Sequence, residues 1–156
     1  MYKAGGILAA VAAVLVTGLG AGVSPLCGPC LALFIGLGAG YLAGVFDKPA
    51  QTAAARAGAI AGAVAGAGAL VGHLLAAVIN SFLVGPEGAT ALLRQLGVNT
   101  PVSPASFYGG QFGGGCCFGL LDIGLMAGLG ALGAILWYNL SGKNQAAQSG
   151  GPLTPA

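Results

Sequence analysis

The chain has 156 residues, of which 56% are hydrophobic and only 5% are charged, and its net charge is +2. A soluble domain carries about a quarter of its residues as charged side chains, so this composition excludes an ordinary water-soluble protein and indicates a membrane protein. Five basic residues are also too few and too scattered for a nucleic-acid-binding surface, and we expect no nucleic-acid partner. We predict a single membrane domain over residues 1–156.

The first two apolar blocks are predicted to be membrane spans. Residues 4–23 form the first, preceded by Lys3. A secretory signal peptide begins in the same way, but this block is long enough to cross a bilayer. Residues 31–46 form the second span, which ends before Pro49 because proline disfavours helix at the residue before it.

The third and fourth spans are predicted over residues 57–84 and 116–138. The third contains no formally charged residue. Its length of about 42 Å exceeds a hydrocarbon core of about 30 Å, so it should tilt or project from the bilayer. The fourth closes on Trp137 and Tyr138, which are typical of the aromatic belt at a membrane surface.

Between these spans, residues 85–115 are predicted to form the outer loop. Within it, residues 86–98 have the pattern of a short helix, with proline and glutamate at the start and Gly97 at the end. Its few charges indicate that it lies at the membrane interface. The rest of the loop is expected to be irregular, and residues 141–156 form a polar tail. The predicted fold class is therefore all-α: an integral membrane bundle of four transmembrane helices with a short interfacial helix in the outer loop.

Glycines spaced four residues apart mark the predicted spans. In lipid the backbone must hydrogen-bond to itself, so a glycine in a helix serves to let a second helix approach closely. This glycine-zipper pattern predicts tight packing within the bundle, and against other membrane proteins or further copies of the chain. The glycines concerned are Gly18, Gly22, Gly36, Gly40, Gly44, Gly58, Gly62, Gly66, Gly124 and Gly128.

The basic residues indicate the orientation of the bundle. Four spans put both termini on one side, where Lys3, Lys48, Arg56 and Lys143 then lie, and only Arg94 lies on the other. Cytoplasmic loops carry the excess of lysine and arginine. We therefore expect both termini in the cytoplasm, with the bundle in the plasma or inner membrane of a prokaryote.

This topology gathers all four cysteines on the extracytoplasmic side. Cys27 and Cys30 lie at the start of the second span, and Cys116 and Cys117 lie at the start of the fourth. Structural disulfides between the two pairs are favoured in an oxidising compartment, and a helix N-terminus favours the thiolate form. Inert buried thiols, metal ligation and redox exchange remain alternatives.

Two polar side chains stand out inside the spans. An intramembrane carboxylate costs about 2.5–3.5 kcal/mol on insertion scales, so Asp122 should face a partner or water. His73 is expected at a similar depth in the third span. We therefore predict that His73 and Asp122 pair in the outer half of the bundle, below the cysteines.

The layout of spans and cysteines resembles that of the quinone-linked disulfide oxidoreductases of the bacterial periplasm and the related vitamin K epoxide reductases. That resemblance implies a four-helix bundle in which Cys27 and Cys30 face a quinone and Cys116 or Cys117 shuttles electrons. It covers the topology and these four residues. The sequence departs from the pattern because its second pair is vicinal and no arginine follows early in the second span. A vicinal pair in an outer loop also resembles tetraspanins, but Phe118 follows it here and their large folded loop is missing.

The function that these features favour is non-catalytic: a small structural or accessory membrane subunit that packs through its glycine-lined helix faces. No Walker loop, hydrolase triad or dinucleotide fingerprint is present, and the sequence identifies no cofactor. One alternative is a membrane thiol–disulfide oxidoreductase that uses the four cysteines. Another is a metal or small-molecule carrier that combines the thiols with His73 and Asp122.

Overall fold

The computed structural model describes residues 10–11, 14–15 and 27–144, with side chains from residue 33 onward in the last range. Within these ranges every regular element is helical and there is no strand, so the predicted all-α class is confirmed. The helices, in chain order, are α1 (Cys27–Asp47), α2 (Gln51–Leu83), α3 (Gly85–Gln95) and α4 (Pro104–Trp137), and a π-helical turn, Tyr138–Gly142, continues α4.

The first predicted span, residues 4–23, falls largely outside the described residues. Its two described pieces are helical. A Cβ added to Gly68 of α2 would lie 2.5 Å from the carbonyl oxygen of Ala10, so this segment passes directly against α2. Gly18 and Gly22 lie outside the described residues.

Helix α1 begins at Cys27, four residues earlier than predicted. Pro29 is accommodated in its first turn, where the missing N–H of proline would have had no partner in any case. The helix ends at a sharp turn: Lys48 adopts a left-handed conformation with φ of 43°, and its N–H donates to the carbonyl oxygen of Gly44 at 3.0 Å. Helix α2 begins at Gln51, before the predicted start at residue 57.

The short helix predicted in the outer loop is present as α3. Glycines with positive φ mark both ends of it: Gly85, its first residue, at 62° and Gly97, just after its last turn, at 82°. Residues other than glycine rarely adopt such values. At its end, the N–H of Val98 donates to the carbonyl oxygen of Leu93 at 2.9 Å, and the N–H of Gly97 donates to that of Arg94 at 3.0 Å. This pair of bonds is a Schellman motif, which satisfies the last carbonyl groups of the helix.

The second half of the predicted outer loop, residues 85–115, is instead the beginning of α4. Ser103 caps this helix, since its side-chain oxygen accepts a hydrogen bond from the N–H of Ser106 at 3.1 Å, and Pro104 occupies the first position. The prediction of an irregular structure up to residue 115 is therefore wrong. Each glycine in this stretch costs about 1 kcal/mol of helix propensity, but the cap and the continuous α4 outweigh that cost.

Helix α4 is the central element of the bundle. It makes its most extensive interface with α2 and the next with α1. In the first interface Gly58 lies opposite Gly130 and Leu70 lies opposite Gly119, so the two helices are antiparallel. In the second interface Gly36 lies opposite Met126, and α1 runs parallel to α4.

The buried interior consists mainly of alanine and glycine. Ala39, Ala65 and Ala69 form a cluster with Met126, and Ile35 packs against it. Large aliphatic and aromatic side chains cover the outside instead. Those at least half exposed on α1, α2 and α4 are Phe34, Phe46, Ile79, Phe82, Leu83, Phe118, Leu120, Leu121, Leu132 and Leu136.

Trp137 is a packing residue, in contrast to the aromatic belt expected at the end of the fourth span. Only 3% of its surface is exposed. Its ring lies against α1, where a Cβ added to Gly44 would be 2.7 Å from Cγ and Cδ2 of the indole. Tyr138, the second residue of the expected belt, begins the π-helical turn and is half-buried.

Two of the described helices are long and apolar enough to cross a membrane, namely Gln51–Leu83 and Pro104–Gly142. At 33 residues, the first is about 50 Å long, which exceeds a hydrocarbon core of about 30 Å. In α1, which has 21 residues, the part with described side chains is the shorter apolar helix Leu33–Asp47.

Candidate functional site

Three helices meet at a single glycine junction formed by Gly40, Gly58 and Gly130. A Cβ added to Gly40 of α1 or to Gly58 of α2 would collide with the carbonyl oxygen of Gly130 on α4. A Cβ on Gly130 would in turn collide with the carbonyl oxygen of Gly58. Only hydrogen atoms fit at this junction, so the backbones of α1 and α2 each touch the backbone of α4 directly.

The other four-spaced glycines of α1 and α2 lie along the same two interfaces. A Cβ on Gly36 would be 3.0 Å from the Cα of Met126, and one on Gly66 would be 2.5 Å from the Cα of Ile123. The remaining pair in this set contacts α4 as well: Gly44 against Trp137, and Gly62 against the Met126 carbonyl oxygen. The structure therefore places all six sequence-predicted glycines of these two helices against α4.

The two glycines predicted to pack on α4 itself face the other way. Gly124 and Gly128 are exposed, and nothing described lies within 4 Å of a Cβ added to either. The glycines of α4 at which an added Cβ would collide with another helix are Gly119, Gly130 and Gly133. No described residue packs on Gly124 or Gly128, so helix packing at these two glycines stays a prediction. These two lie away from the contact face of the helix. At about 100° per residue, Gly124 is turned about 120° from Gly130, and Gly128 is turned about 180° from Gly119.

His73 and Asp122 are brought together across the α2–α4 interface. Nδ1 of His73 lies 3.9 Å from Oδ2 of Asp122, and their side chains are 18% and 12% exposed. Nδ1 also lies 2.9 Å from the carbonyl oxygen of Ala69, one helical turn earlier, and donates to it in the tautomer that carries its proton there. A Cβ on Gly115 would be 4.0 Å from the Cβ of His73, so the absence of a side chain on α4 leaves room for the imidazole.

The distance and the surroundings define what the pair can do. At 3.9 Å the two groups interact electrostatically but are too far apart for a hydrogen bond, which needs about 2.7–3.2 Å. Asp122 is the only charged residue of α4, and both side chains are largely buried. Burial away from water raises the free energy of a net charge, so the pair is most stable when its total charge is zero.

Cys116 and Cys117 are exposed free thiols within α4. They lie twelve or more residues after the start of the helix at Pro104, so the expected position at a helix N-terminus is wrong for this pair. The helix dipole acts mainly on the first turn, and both cysteines lie beyond that turn. Neighbouring residues on a regular helix point about 100° apart, which keeps the two sulfur atoms from bonding to each other.

The first cysteine pair shares the level of the second along the bundle axis. Gly36 lies opposite Met126 and Gly40 opposite Gly130, and the same register carried back to the first residue of α1 brings Cys27 level with Cys117. Cys30 follows in the first turn of the same helix. The side chains of Cys27 and Cys30 lie outside the described ones.

The thiols and the polar pair do not form one cluster. Cys117 is five residues before Asp122, which places the two on different sides of α4 at about 100° per residue. Among the described residues there is no group of three histidine, cysteine or acidic side chains that could hold a metal ion. The four predicted site residues that have described side chains thus form two separate features, the His73–Asp122 pair and the exposed thiols.

Comparison of the chain with protein-family models, with curated proteins and with solved structures finds no match. The layout shared with the quinone-linked oxidoreductases is therefore limited to the order of apolar blocks and the positions of four cysteines.

Proposed function

We propose that this chain is an integral membrane protein of four spans that acts as a structural or accessory subunit. The observation that carries the proposal is the inverted distribution of side chains. Alanine and glycine fill the interior, whereas Phe82, Leu83 and Leu121 are 86%, 77% and 68% exposed. A monomer in water rarely exposes a continuous apolar surface of this kind, whereas hydrocarbon chains solvate it without cost.

Support for the orientation comes from the ends of the helices. Because Gly44 packs against Trp137, the turn at Lys48 and the π-helical turn before Lys143 lie at the same end of the bundle. Arg94 lies in α3, which connects α2 to α4 at the other end of the bundle. An excess of lysine at one end favours that end as the cytoplasmic one. We therefore assign both termini to the cytoplasm of a prokaryotic cell and the membrane to its plasma or inner membrane.

The outward face of α4 is the surface that we assign to a partner. We define it by Gly124 and Gly128, which are exposed, one helical turn apart and free of described neighbours within 4 Å. Small residues at this spacing let a second transmembrane helix approach closely. The partner in this proposal is a helix of another membrane protein or of a second copy of the chain, and no cofactor is required.

Purification in mild detergent tests this function. We expect the tagged protein to co-purify with a larger membrane protein or with itself, and the double variant Gly124→Leu/Gly128→Leu to lose that association. Gly38→Leu is the matched control, because Gly38 on α1 also has open space around an added Cβ. Migration of the wild-type chain as a lone monomer would contradict the proposal.

Thiol–disulfide exchange is the second candidate function, and the exposed thiols favour it. Cys116 and Cys117 are accessible, and Cys27 shares the level of Cys117 along the bundle. In this reaction, two thiols form a disulfide and release two electrons and two protons, which reduce a quinone to a quinol. Quinone reduction coupled to oxidation of an added dithiol tests it. Activity that disappears in Cys30→Ser supports exchange, and equal rates with and without protein exclude it.

A further inference from the structure

We propose that His73 and Asp122 form a proton-binding site that links the packing of α2 against α4 to pH. The inference rests on the proposed membrane location and adds a ligand, the proton, to a bundle otherwise assigned only to packing. An ionisable residue inside a membrane is rare, and its position usually marks a functional site.

The geometry provides two arrangements of one proton. When Asp122 holds it, both groups are neutral and the Nδ1–H of His73 donates to the Ala69 carbonyl oxygen at 2.9 Å. When His73 holds it, both ring nitrogens carry a proton, and Nδ1 of the imidazolium lies 3.9 Å from Oδ2 of the Asp122 carboxylate. The two arrangements differ only in whether this proton forms the O–H of Asp122 or the second N–H of His73. Both arrangements are neutral overall, which suits apolar surroundings.

Any further gain or loss of a proton leaves a net charge between the helices. Removing the shared proton leaves one negative charge, and adding a second leaves one positive charge. Neither is compensated by a lysine, arginine or glutamate in α1, α2 after Arg56, or α4. The close α2–α4 contact at Gly66 and Gly119 must then accommodate an unpaired charge, so we expect the bundle to loosen on both sides of an intermediate pH.

Few other groups can produce this behaviour. On α4 the thiols of Cys116 and Cys117 lie one to two turns from Asp122, and Cys27 and Cys30 lie in the first turn of α1. On α2 the nearest ionisable group other than His73 is Arg56, more than four turns away. The remaining acidic side chains of the chain are Asp47, at the end of α1, and Glu87, in the first turn of α3.

The experiment uses the full chain reconstituted in phosphatidylcholine vesicles. Infrared difference spectra between neutral and alkaline pH report the carbonyl stretch of protonated carboxyl groups. We expect a signal that Asp122→Asn removes and His73→Gln shifts along the pH axis, whereas Asp47→Asn, the matched control, leaves it unchanged. An unaltered signal in Asp122→Asn, or the same titration in His73→Gln as in wild type, overturns the proposal.

A second measurement covers variants that fold poorly. The apparent Tm of the wild-type protein in detergent should pass through a maximum with pH, and in His73→Gln/Asp122→Asn this maximum should flatten. A maximum that persists in the double variant overturns the link to packing. Failure of the chain to insert into vesicles would contradict the proposed membrane location. Insertion without any effect of His73 on the titration of Asp122 would contradict the proton-binding site alone.

Discussion

Gly58 and Gly130 each occupy the space that a side chain on the other would need. A Cβ on Gly58 would meet the carbonyl oxygen of Gly130, and a Cβ on Gly130 would meet that of Gly58. This reciprocal contact fixes the antiparallel register of α2 and α4. Gly40 of α1 touches the same carbonyl group, so one residue of α4 sets the positions of two other helices.

The first prediction concerns this junction. Gly130→Ala should lower the free energy of unfolding by about 1–3 kcal/mol, because the methyl group meets the rigid backbone of α2 at Gly58 and Gly62 and forces α2 and α4 apart. Gly128→Ala places the same methyl group on the same helix where no described atom lies within 4 Å; apart from the helix propensity that both substitutions gain, its effect should stay within about 0.5 kcal/mol. Reversible unfolding in mixed micelles measures both variants. Equal destabilisation by the two substitutions would contradict the helix contacts described here.

A second prediction uses Trp137 as a reporter, since it is the single tryptophan of the chain. Gly44→Val puts a branched side chain into the space of the indole, which a Cβ would already approach to 2.7 Å. The ring must move out of its buried position, and its fluorescence emission should shift. Gly38→Val on the same helix has no described neighbour within 4 Å and should leave the emission as in wild type. No shift in Gly44→Val would show that Trp137 does not pack on α1.

The third prediction concerns the vicinal cysteines. Both thiols are exposed on a regular helix, so both should react with a small maleimide in the folded protein, with no disulfide between Cys116 and Cys117. Mass spectrometry of the labelled peptides measures this directly. Cys116→Ala and Cys117→Ala should each lose one label. A peptide in which the two sulfur atoms are joined would mean that the helix is interrupted at this point.

The fourth prediction concerns the cap of α4. Ser103→Ala removes the oxygen that accepts a hydrogen bond from the N–H of Ser106, and it should cost about 1 kcal/mol of stability. Ser103→Asp keeps an acceptor at the same position and should retain most of the wild-type stability. Denaturant titration of the two variants compares them. If alanine and aspartate behave alike, the cap does not contribute.

The rotation of α4 about its axis shows how far the sequence predicts which face of a helix is buried. Four-residue glycine spacing predicts Gly124 and Gly128 as the contact face, but spacing alone does not say which side of a helix is buried. The polar residue Asp122 does, because a carboxylate in lipid must face inward. The residues that share its face at three- and four-residue intervals are Gly119, Met126, Gly130, Gly133 and Trp137, and all five are buried.

The start of α4 shows a different limit. Ser103 followed by Pro104 is a pattern typical of a helix start, and it can be read from the sequence alone. The composition of the glycine-rich stretch that follows predicts a loop. A helix whose N-terminus is capped tolerates these glycines, however, and the stretch is helical. The all-α class, the short helix α3 and the C-terminal ends of the apolar helices follow from local sequence patterns. The rotation of each helix depends on contacts between residues more than forty positions apart, which no local pattern contains.

Accessibility of single cysteines in intact cells tests the proposed membrane arrangement most directly. In a background with all four native cysteines changed to serine, Arg94→Cys and Lys143→Cys mark the two ends of the bundle. A membrane-impermeant maleimide should label Arg94→Cys in intact cells and Lys143→Cys only after the cells are opened. Labelling of Lys143→Cys from outside, or equal labelling of both positions in intact cells, would contradict four spans with cytoplasmic termini.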